Sequence, residues 1–375
     1  MRIGIDGRSL QEPQYSGVSV YTQSLLQALL SLPEAEPHEF VCFLNGYALN
    51  ADAIIKKFPQ KNIRWLIKRW PNKLVTGGEI IFSYPNLRQL FGKVDMVFVP
   101  SMQFFPIKDH TVPWILTVHD LSFEKHPEYF SPKGRLWHKL LRPRQFCQSA
   151  TRLLAVSEHT KDDLQEIYHL PHNKIEVIYP GLGAPTEISA TTHQQSLNLP
   201  QNYIFFLSTI EPRKNLETLL SAFALVRQQH PDLYLVLAGA PGWQFKKIAR
   251  ALTADKNIIY LSYLAENVKW QILKQARVFV YPSLYEGFGF PPLEAQAMGT
   301  PVIVGSHSSL PEVLGNSALY ANVLDVESLS RAISHLLENE CLRQDFIAQG
   351  RKNVERFNWQ NTARQTLNAF LNLKQ

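Results

Sequence analysis

Two doubly wound α/β domains are what this chain predicts, and three observations predict them. Short apolar runs rich in β-branched and aromatic residues recur from end to end, helical patterns fall between them, and one stretch breaks the alternation near the middle. Strands covered on both faces read as near-continuous apolar runs, and repeated strand–helix alternation is the signature of parallel sheets with helices on either side. At 375 residues the chain is long enough for two cores.

In the first half the strand candidates are, in order, "RIGID", "EFVCFL", "NIRWLI", "VDMVFV", "WILTVH", "RLLAV" and "KIEVIY"; in the second they are "YIFFLS", "YLVLAG", "NIIYLS", "RVFVYPS" and "PVIVG". Helical spacing is carried by "VSVYTQSLLQALLSL", "NLETLLSAFALVRQQH" and "VKWQILKQA". Residues 179–202, "YPGLGAPTEISATTHQQSLNLPQN", have a linker composition and divide the chain into domains 1–182 and 183–357. A last amphipathic helix, 358–375, follows the second series.

Composition narrows the class. Hydrophobic content of 45% is that of a globular protein, and no run of eighteen uncharged apolar residues predicts a membrane span. The N-terminal "MRIGIDGRSL" enters a strand pattern directly, so no signal peptide is expected. Cys42, Cys147 and Cys341 are far apart, without metal spacing, which fits a reducing cytosol. A formal charge of +6 admits nucleotides, phosphates or a membrane surface without choosing among them.

In open α/β sheets ligands sit beyond the carboxyl ends of the strands, so candidate chemistry belongs at those ends. Gly17 follows the first strand and opens a helix whose free N–H groups suit a phosphate; a plain glycine turn is the alternative. His119 ends "WILTVH", within reach of a substrate or as a strand-end residue, and Ser157 reads as a helix cap. Arg213 and Lys214 stand together before a helix, which makes either an anion site or a solvated basic turn. The loops "APGWQF" and "YLAENV" could flank a flat group. The densest stretch is 281–305, "YPSLYEGFGFPPLEAQAMGTPVIVG". Gly287 and Gly289 let the backbone approach a ligand, Pro291 and Pro292 suit a first helical turn, and Glu294 is placed in that turn. Carboxylates such as Glu286 and Glu294 accept hydrogen bonds in pairs, as vicinal sugar hydroxyls require; the alternative is a cap and a helix-dipole partner. A dinucleotide fingerprint is broken by Pro292 at its third glycine.

Taken together, "EGFGFPPLEAQAMGTPVI", "EPRKN", "SGVSVY", "TVHDLSF" and "FNWQNTA" resemble the retaining glycosyltransferases of family 4, with the GT-B fold, over nearly the whole chain. Within the family, "HDLSFEKHPEYFSPKGRLWHKLLRPR" is most similar to bacterial mannosyltransferases of surface polysaccharide synthesis, including lipopolysaccharide. The resemblance implies two Rossmann-like domains facing across a cleft: 1–182 on the acceptor side, with helix 358–375 packing back on it, and 183–357 binding the nucleotide-sugar donor. It implies that Glu286 meets the donor sugar, Glu294 the ribose, and Arg213 and Lys214 the diphosphate, with Gly17 approaching from the other domain. Amides from Phe288 through Gly289 to Phe290 would orient the sugar, and His119 would lie near the reacting centre. "SGVSVY" departs from the family's paired glycines in that loop.

The implied reaction is metal-independent transfer of a hexose with retention. No cofactor is expected; the donor would be GDP-mannose first and a UDP-hexose second, and the acceptor a glycan or lipid-linked sugar. No acidic pair at a strand end provides for a metal. The alternatives are a catalytically silent nucleotide-sugar-binding protein or another GT-B enzyme such as an epimerase; nucleic acid is not an expected partner. Residues 53–78 and 129–152 carry many cations and no acids, interleaved with Trp65, Trp70 and Trp137. They predict peripheral attachment to the anionic inner face of the cytoplasmic membrane, against the alternative of core tryptophans and a solvated basic face.

Overall fold

The computed structural model describes residues 1–11, 16–46, 50–71, 86–106, 108–185 and 199–374. Most of the linker composition (186–198) and residues 72–78 of the first basic segment lie outside the described residues. The chain divides into two compact units: Met1–Lys125, Pro132–Gly181 and Phe357–Gln375 form one, and His126–Ser131 with Leu182–Arg356 form the other.

The first unit holds a seven-stranded sheet in the order β3-β2-β1-β4-β5-β6-β7. Its strands are β1 (Arg2–Asp6), β2 (Glu39–Asn45), β3 (Ile63–Lys68), β4 (Met96–Val99), β5 (Trp114–Val118), β6 (Arg152–Ala155) and β7 (Ile175–Val177). Every pairing is parallel. The α-helices are α1 (Gly17–Leu30), α2 (Ala51–Ile55), α3 (Leu87–Phe91), α4 (Ser122–Lys125), α5 (Pro132–Leu141), α6 (Pro143–Ser149), α7 (Glu158–Tyr168) and, much later, α15 (Trp359–Leu371). Ser16 caps α1 by accepting from the Ser19 N–H at 3.1 Å. Tyr21, Leu25, Leu26 and Leu29 make its buried stripe. Asn358 caps α15, which lays Ala363, Leu367 and Phe370 into the same unit, the Phe370 ring 5.1 Å from that of Phe98. Gly181 has to be glycine there, because a Cβ would stand 2.3 Å from the Trp359 backbone nitrogen.

The second unit holds a six-stranded parallel sheet, β10-β9-β8-β11-β12-β13. Its strands are β8 (Tyr203–Leu207), β9 (Tyr234–Ala238), β10 (Ile258–Tyr260), β11 (Val278–Tyr281), β12 (Val302–Gly305) and β13 (Leu319–Ala321). The helices are α8 (Leu216–Gln229), α9 (Phe245–Ala254), α10 (Glu266–Gln275), α11 (Phe290–Ala297), α12 (Leu310–Leu314), α13 (Val326–Glu338) and α14 (Glu340–Val354). Ile204, Phe205, Phe206, Leu235, Val280 and Ile303 are completely buried, which is why their strands read as unbroken apolar runs.

Strand order reverses between β1 and β4 in the first unit and between β8 and β11 in the second. A reversal leaves the two connections leaving adjacent strands on opposite faces, and opens a crevice at their carboxyl ends. In the second unit the loops at that point are the two that carry Arg213–Lys214 and Glu286.

Candidate active site

Arg213 and Lys214 lie in a 3-10 turn, Pro212–Lys214, between β8 and α8. Asn215 then turns left-handed (φ 54) and opens α8, its side-chain N–H donating to the Val323 carbonyl at 2.6 Å. The loop after β11 is tied to this turn through its backbone, the Leu284 N–H donating to the Arg213 carbonyl at 2.8 Å. The switch point thus brings Arg213, Lys214 and Glu286 into one cluster. Lys214 Nζ donates to Glu286 Oε1, which also accepts from Ser283 Oγ at 2.5 Å and Tyr281 OH at 2.9 Å. Arg213 Nη1 donates to Glu286 Oε2 at 3.3 Å and to the Tyr285 carbonyl at 3.1 Å, while its Nε donates to Glu211 at 2.5 Å.

The cluster is dry. Lys214 is 4% exposed and Glu286 7%, so neither is a solvated surface charge. Burial works against the Glu286 carboxylate, but Lys214 and Arg213, with hydrogen bonds from Lys214 and Ser283, outweigh it and hold the pKa down at about 2. Lys214 is pushed below its ordinary value by burial and by Arg213, against the support of Glu286. Burial and the Glu286 charge raise Tyr281 well above the phenol range, so its hydroxyl keeps its proton and donates it.

Above this cluster the glycine-aromatic loop has fixed carbonyls. Ser309 Oγ bonds the carbonyls of Glu286 and Phe288, each at 3.0 Å, and Ser308 Oγ accepts from the Glu286 N–H at 2.9 Å. Ser308 does this from a left-handed backbone (φ 54), a conformation that costs energy in a non-glycine residue. Gly289, at φ 98, caps α11, and Phe290, Pro291 and Pro292 form its first turn. Phe288 and Phe290 pack edge on, centroids 5.1 Å apart. Glu294 was expected in the first turn; the helix starts at Phe290, so it lies one turn further in, away from the helix start. The structure does not bring it into the Glu286 cluster. It pairs instead with Lys269 of α10 at 2.6 Å, and burial raises its pKa despite that cation. Trp243 and Gln244, from the loop after β9, and Phe245, which opens α9, line a cavity of about 180 Å³ together with Ile210, Pro212 and Asn215.

Gly17 and His119 belong to the first unit. Gly17 is exposed at the start of α1; a Cβ there meets nothing within 4 Å among the described residues, and no left-handed backbone demands glycine. One turn on, Tyr21 packs edge on against the His119 ring, centroids 4.8 Å apart, and its hydroxyl lies 3.2 Å from Thr117 Oγ1. His119 Nε2 is 2.8 Å from the Pro100 carbonyl, which only accepts, so the proton sits on Nε2 and Nδ1 is the acceptor. Burial lowers the His119 pKa and favours this neutral ring. Among the described residues no three His, Cys, Asp or Glu side chains gather as a metal site, and no helix is long and apolar enough to cross a membrane.

Glu211, Tyr281, Ser283, Ser308 and Lys269 were not singled out from the sequence. Tyr281 and Ser283 sit inside "RVFVYPS", where they read as the end of a strand; Lys269 sits inside a helical pattern.

The switch point of the second unit thus holds a buried lysine and a part-buried arginine against a buried carboxylate. Comparison with known proteins supplies the family. The "Glycosyltransferase Family 4" profile matches residues 15–183 and the "Glycosyl transferases group 1" profile residues 189–353. The chain is 32% identical over 266 residues to the O-antigen chain mannosyltransferase B of Escherichia coli, covering 68% of this chain and 69% of that protein. It is 27% identical over 279 residues to the serotype-specific mannosyltransferase WbdA of Escherichia coli, covering 70% of this chain but only 34% of that longer protein. Among solved structures, a sucrose-phosphate synthase from Thermosynechococcus elongatus superposes with a TM-score of 0.77 at 19% identity, covering 100% and 99% of the two chains. HepE from Anabaena, solved with UDP-glucose, superposes with a TM-score of 0.71 at 16% identity, covering 99% of each chain. At those identities the structures speak for the fold alone, which is GT-B. The chain belongs to glycosyltransferase family 4 and is a glycosyltransferase.

Proposed function

We propose that this enzyme transfers a mannosyl residue, with retention and without a metal, from a nucleotide diphosphate sugar to a growing surface glycan or its lipid-linked precursor. The observation that carries the proposal is the buried Arg213–Lys214–Glu286 cluster at the start of α8. Negative charge builds on the departing diphosphate, and preorganised cations beside a helix start stabilise it more in the transition state than in the ground state. Mannose is supported by the names of the relatives, and GDP as the donor base by the sequence resemblance alone; a UDP-hexose is the second choice.

Glu286 Oε1 already takes three donors, so a sugar hydroxyl would meet Oε2. A carboxylate held ionised by four donors is a weak nucleophile, which favours a front-face route over a covalent sugar–enzyme intermediate. In that route the bond from the anomeric carbon to phosphate breaks, the acceptor oxygen bonds to the same face, and the acceptor proton passes to the departing phosphate oxygen. Glu294, one oxygen bound to Lys269, would take the ribose hydroxyls with the other. The Phe288–Phe290 amides would orient the sugar; Gly17 and neutral His119, from the first unit, would serve the phosphate and the reacting sugar. An acceptor carried on lipid would place the enzyme peripherally on the inner face of the cytoplasmic membrane.

A panel of nucleotide sugars tests this, scored by thermal shift and by transfer in excess chelator. The expected outcome is selective stabilisation by GDP-mannose, as binding to the folded state requires, with turnover that chelator leaves unchanged. Stabilisation by no nucleotide sugar refutes the donor reading, and activity lost on chelation and restored by magnesium or manganese refutes metal independence.

A further inference from the structure

We infer that α5 is the element by which this protein docks on an anionic bilayer, its Leu136–Trp137–Leu140 stripe entering the interface while Arg135 and Lys139 meet lipid phosphates. The inference deepens the peripheral-attachment reading above and rests on it.

Of the three tryptophans in the basic segments, two are half-buried. Trp65 is half-buried against Phe58, ring centroids 5.5 Å apart, and Trp70 is half-buried against the core of the first unit. Trp137 packs edge on against Phe104, centroids 6.0 Å apart, yet stays 41% exposed, and Leu136 and Leu140 beside it are 57% and 44% exposed. These are three of the large exposed hydrophobic side chains of the described chain, and they lie within one helix of ten residues.

Helical geometry says how they are arranged. Leu136 and Leu140 are four apart and Trp137 and Leu140 three apart, so the three share one face. The helix is held to its unit by His138, which stacks on Phe123 with centroids 4.3 Å apart, and by the buried Leu141 at its end. Arg135 and Lys139, also four apart, flank the apolar stripe on the outward side, and Lys133 lies at its head. None of these three cations has an ion pair among the described residues, so no internal contact accounts for them. From Pro132 to Ser149 the chain has five cations, Lys133, Arg135, Lys139, Arg142 and Arg144, and no carboxylate.

An apolar stripe bordered by uncompensated cations is complementary to a surface that is apolar below and negative at its rim. An anionic leaflet has that order, with tryptophan favoured at the boundary and each basic side chain drawn by the surface potential. A protein partner would need a carboxylate-rich rim around an apolar centre; a second copy of this helix would bring cation against cation.

Flotation of the full-length protein decides it, using phosphatidylcholine vesicles with and without about one-third phosphatidylglycerol, at low and high salt. Wild type is expected to float with the anionic vesicles at low salt only. Lys133→Glu/Arg135→Glu/Lys139→Glu should weaken partitioning on the order of a hundredfold or more, from roughly a factor of five per cation. Leu136→Ser/Trp137→Ser/Leu140→Ser should stay in the dense fraction even at low salt. All six positions are outward, so unchanged far-UV circular dichroism and unchanged hydrolysis of the soluble donor are expected of both variants. If wild type floats and both variants float equally well, attachment stands and α5 is wrong. If wild type does not float with anionic vesicles, both fall. Sedimentation of wild type as a dimer that the serine variant dissolves would make this face a self-interface and overturn the lipid assignment.

Discussion

Replacing Glu286 by glutamine tests whether the cluster is an interdependent ionic unit. The carboxylate titrates at about 2 in the folded protein against an ordinary value of about 4.3. A difference of roughly two units corresponds to about 3 kcal/mol of stability. Because the folded value is the lower one, that stability is fully present above the unfolded pKa and is lost as pH falls from about 4 through about 2. It is an upper figure, since burial and Arg213 push Lys214 the other way. Glutamine keeps the shape but leaves Lys214, 4% exposed, without its counter-charge, while Arg213 retains Glu211; an uncompensated buried charge is the situation in which breaking a pair is most damaging. Denaturant or thermal unfolding of the ligand-free protein should show a loss of about 3 kcal/mol at neutral pH, roughly 6–12 °C for a unit of this size. The loss should shrink toward zero as pH falls below about 4. Adding Lys214→Met should recover much of it, because the second change removes the stranded charge. A loss at neutral pH below about 1 kcal/mol, or a double variant as unstable as the sum of the singles, would refute the reasoning.

Arg213→Ala and Lys214→Ala should each lower turnover by about a hundredfold or more, about 3 kcal/mol of transition-state stabilisation; near-normal steady-state rates in both would remove the diphosphate role. Burial holds Glu294 above the ordinary carboxylate range, so it takes a proton before exposed carboxylates do. Nucleoside diphosphate affinity should therefore fall early on acidification, and Glu294→Gln should bind weakly at neutral pH with a flatter profile. Calorimetry showing equal affinity for Glu294→Gln and wild type would end the ribose assignment. Gly17→Ala should leave the melting temperature within about 1 °C, since its methyl meets nothing in the described fold, yet raise the donor KM several-fold. Unchanged kinetics would make Gly17 an ordinary helix start.

Much of the fold was legible because buried parallel strands announce themselves as apolar runs. Leu319–Ala321 was missed because it carries no β-branched residue, unlike the equally short Ile175–Val177 and Ile258–Tyr260. The cationic pair and Glu286 were legible as strand-end residues, since a switch point makes neighbours of loops that are far apart in sequence. Their partners were not. Tyr281 and Ser283 face Glu286 only because the chain leaves β11 as it does, and Glu211 acts on Arg213 across a tight turn that no local pattern identifies. The placement of Glu294 failed for a definite reason: the proline pair marks the helix start correctly, but Phe290 already belongs to the first turn. The basic segments were ambiguous in sequence because a tryptophan beside lysine reads the same whether its ring points in or out, and only packing separates Trp70 from Trp137.

The first unit is completed by α15, which is translated only after the whole of the second unit. Until it is released from the ribosome, α1 lacks the cover that helix α15 supplies, and the first unit cannot complete its packing. A released chain ending at residue 356 would thus hold every element of the second unit and an unfinished first one, open to chaperones and proteases along the uncovered side of α1.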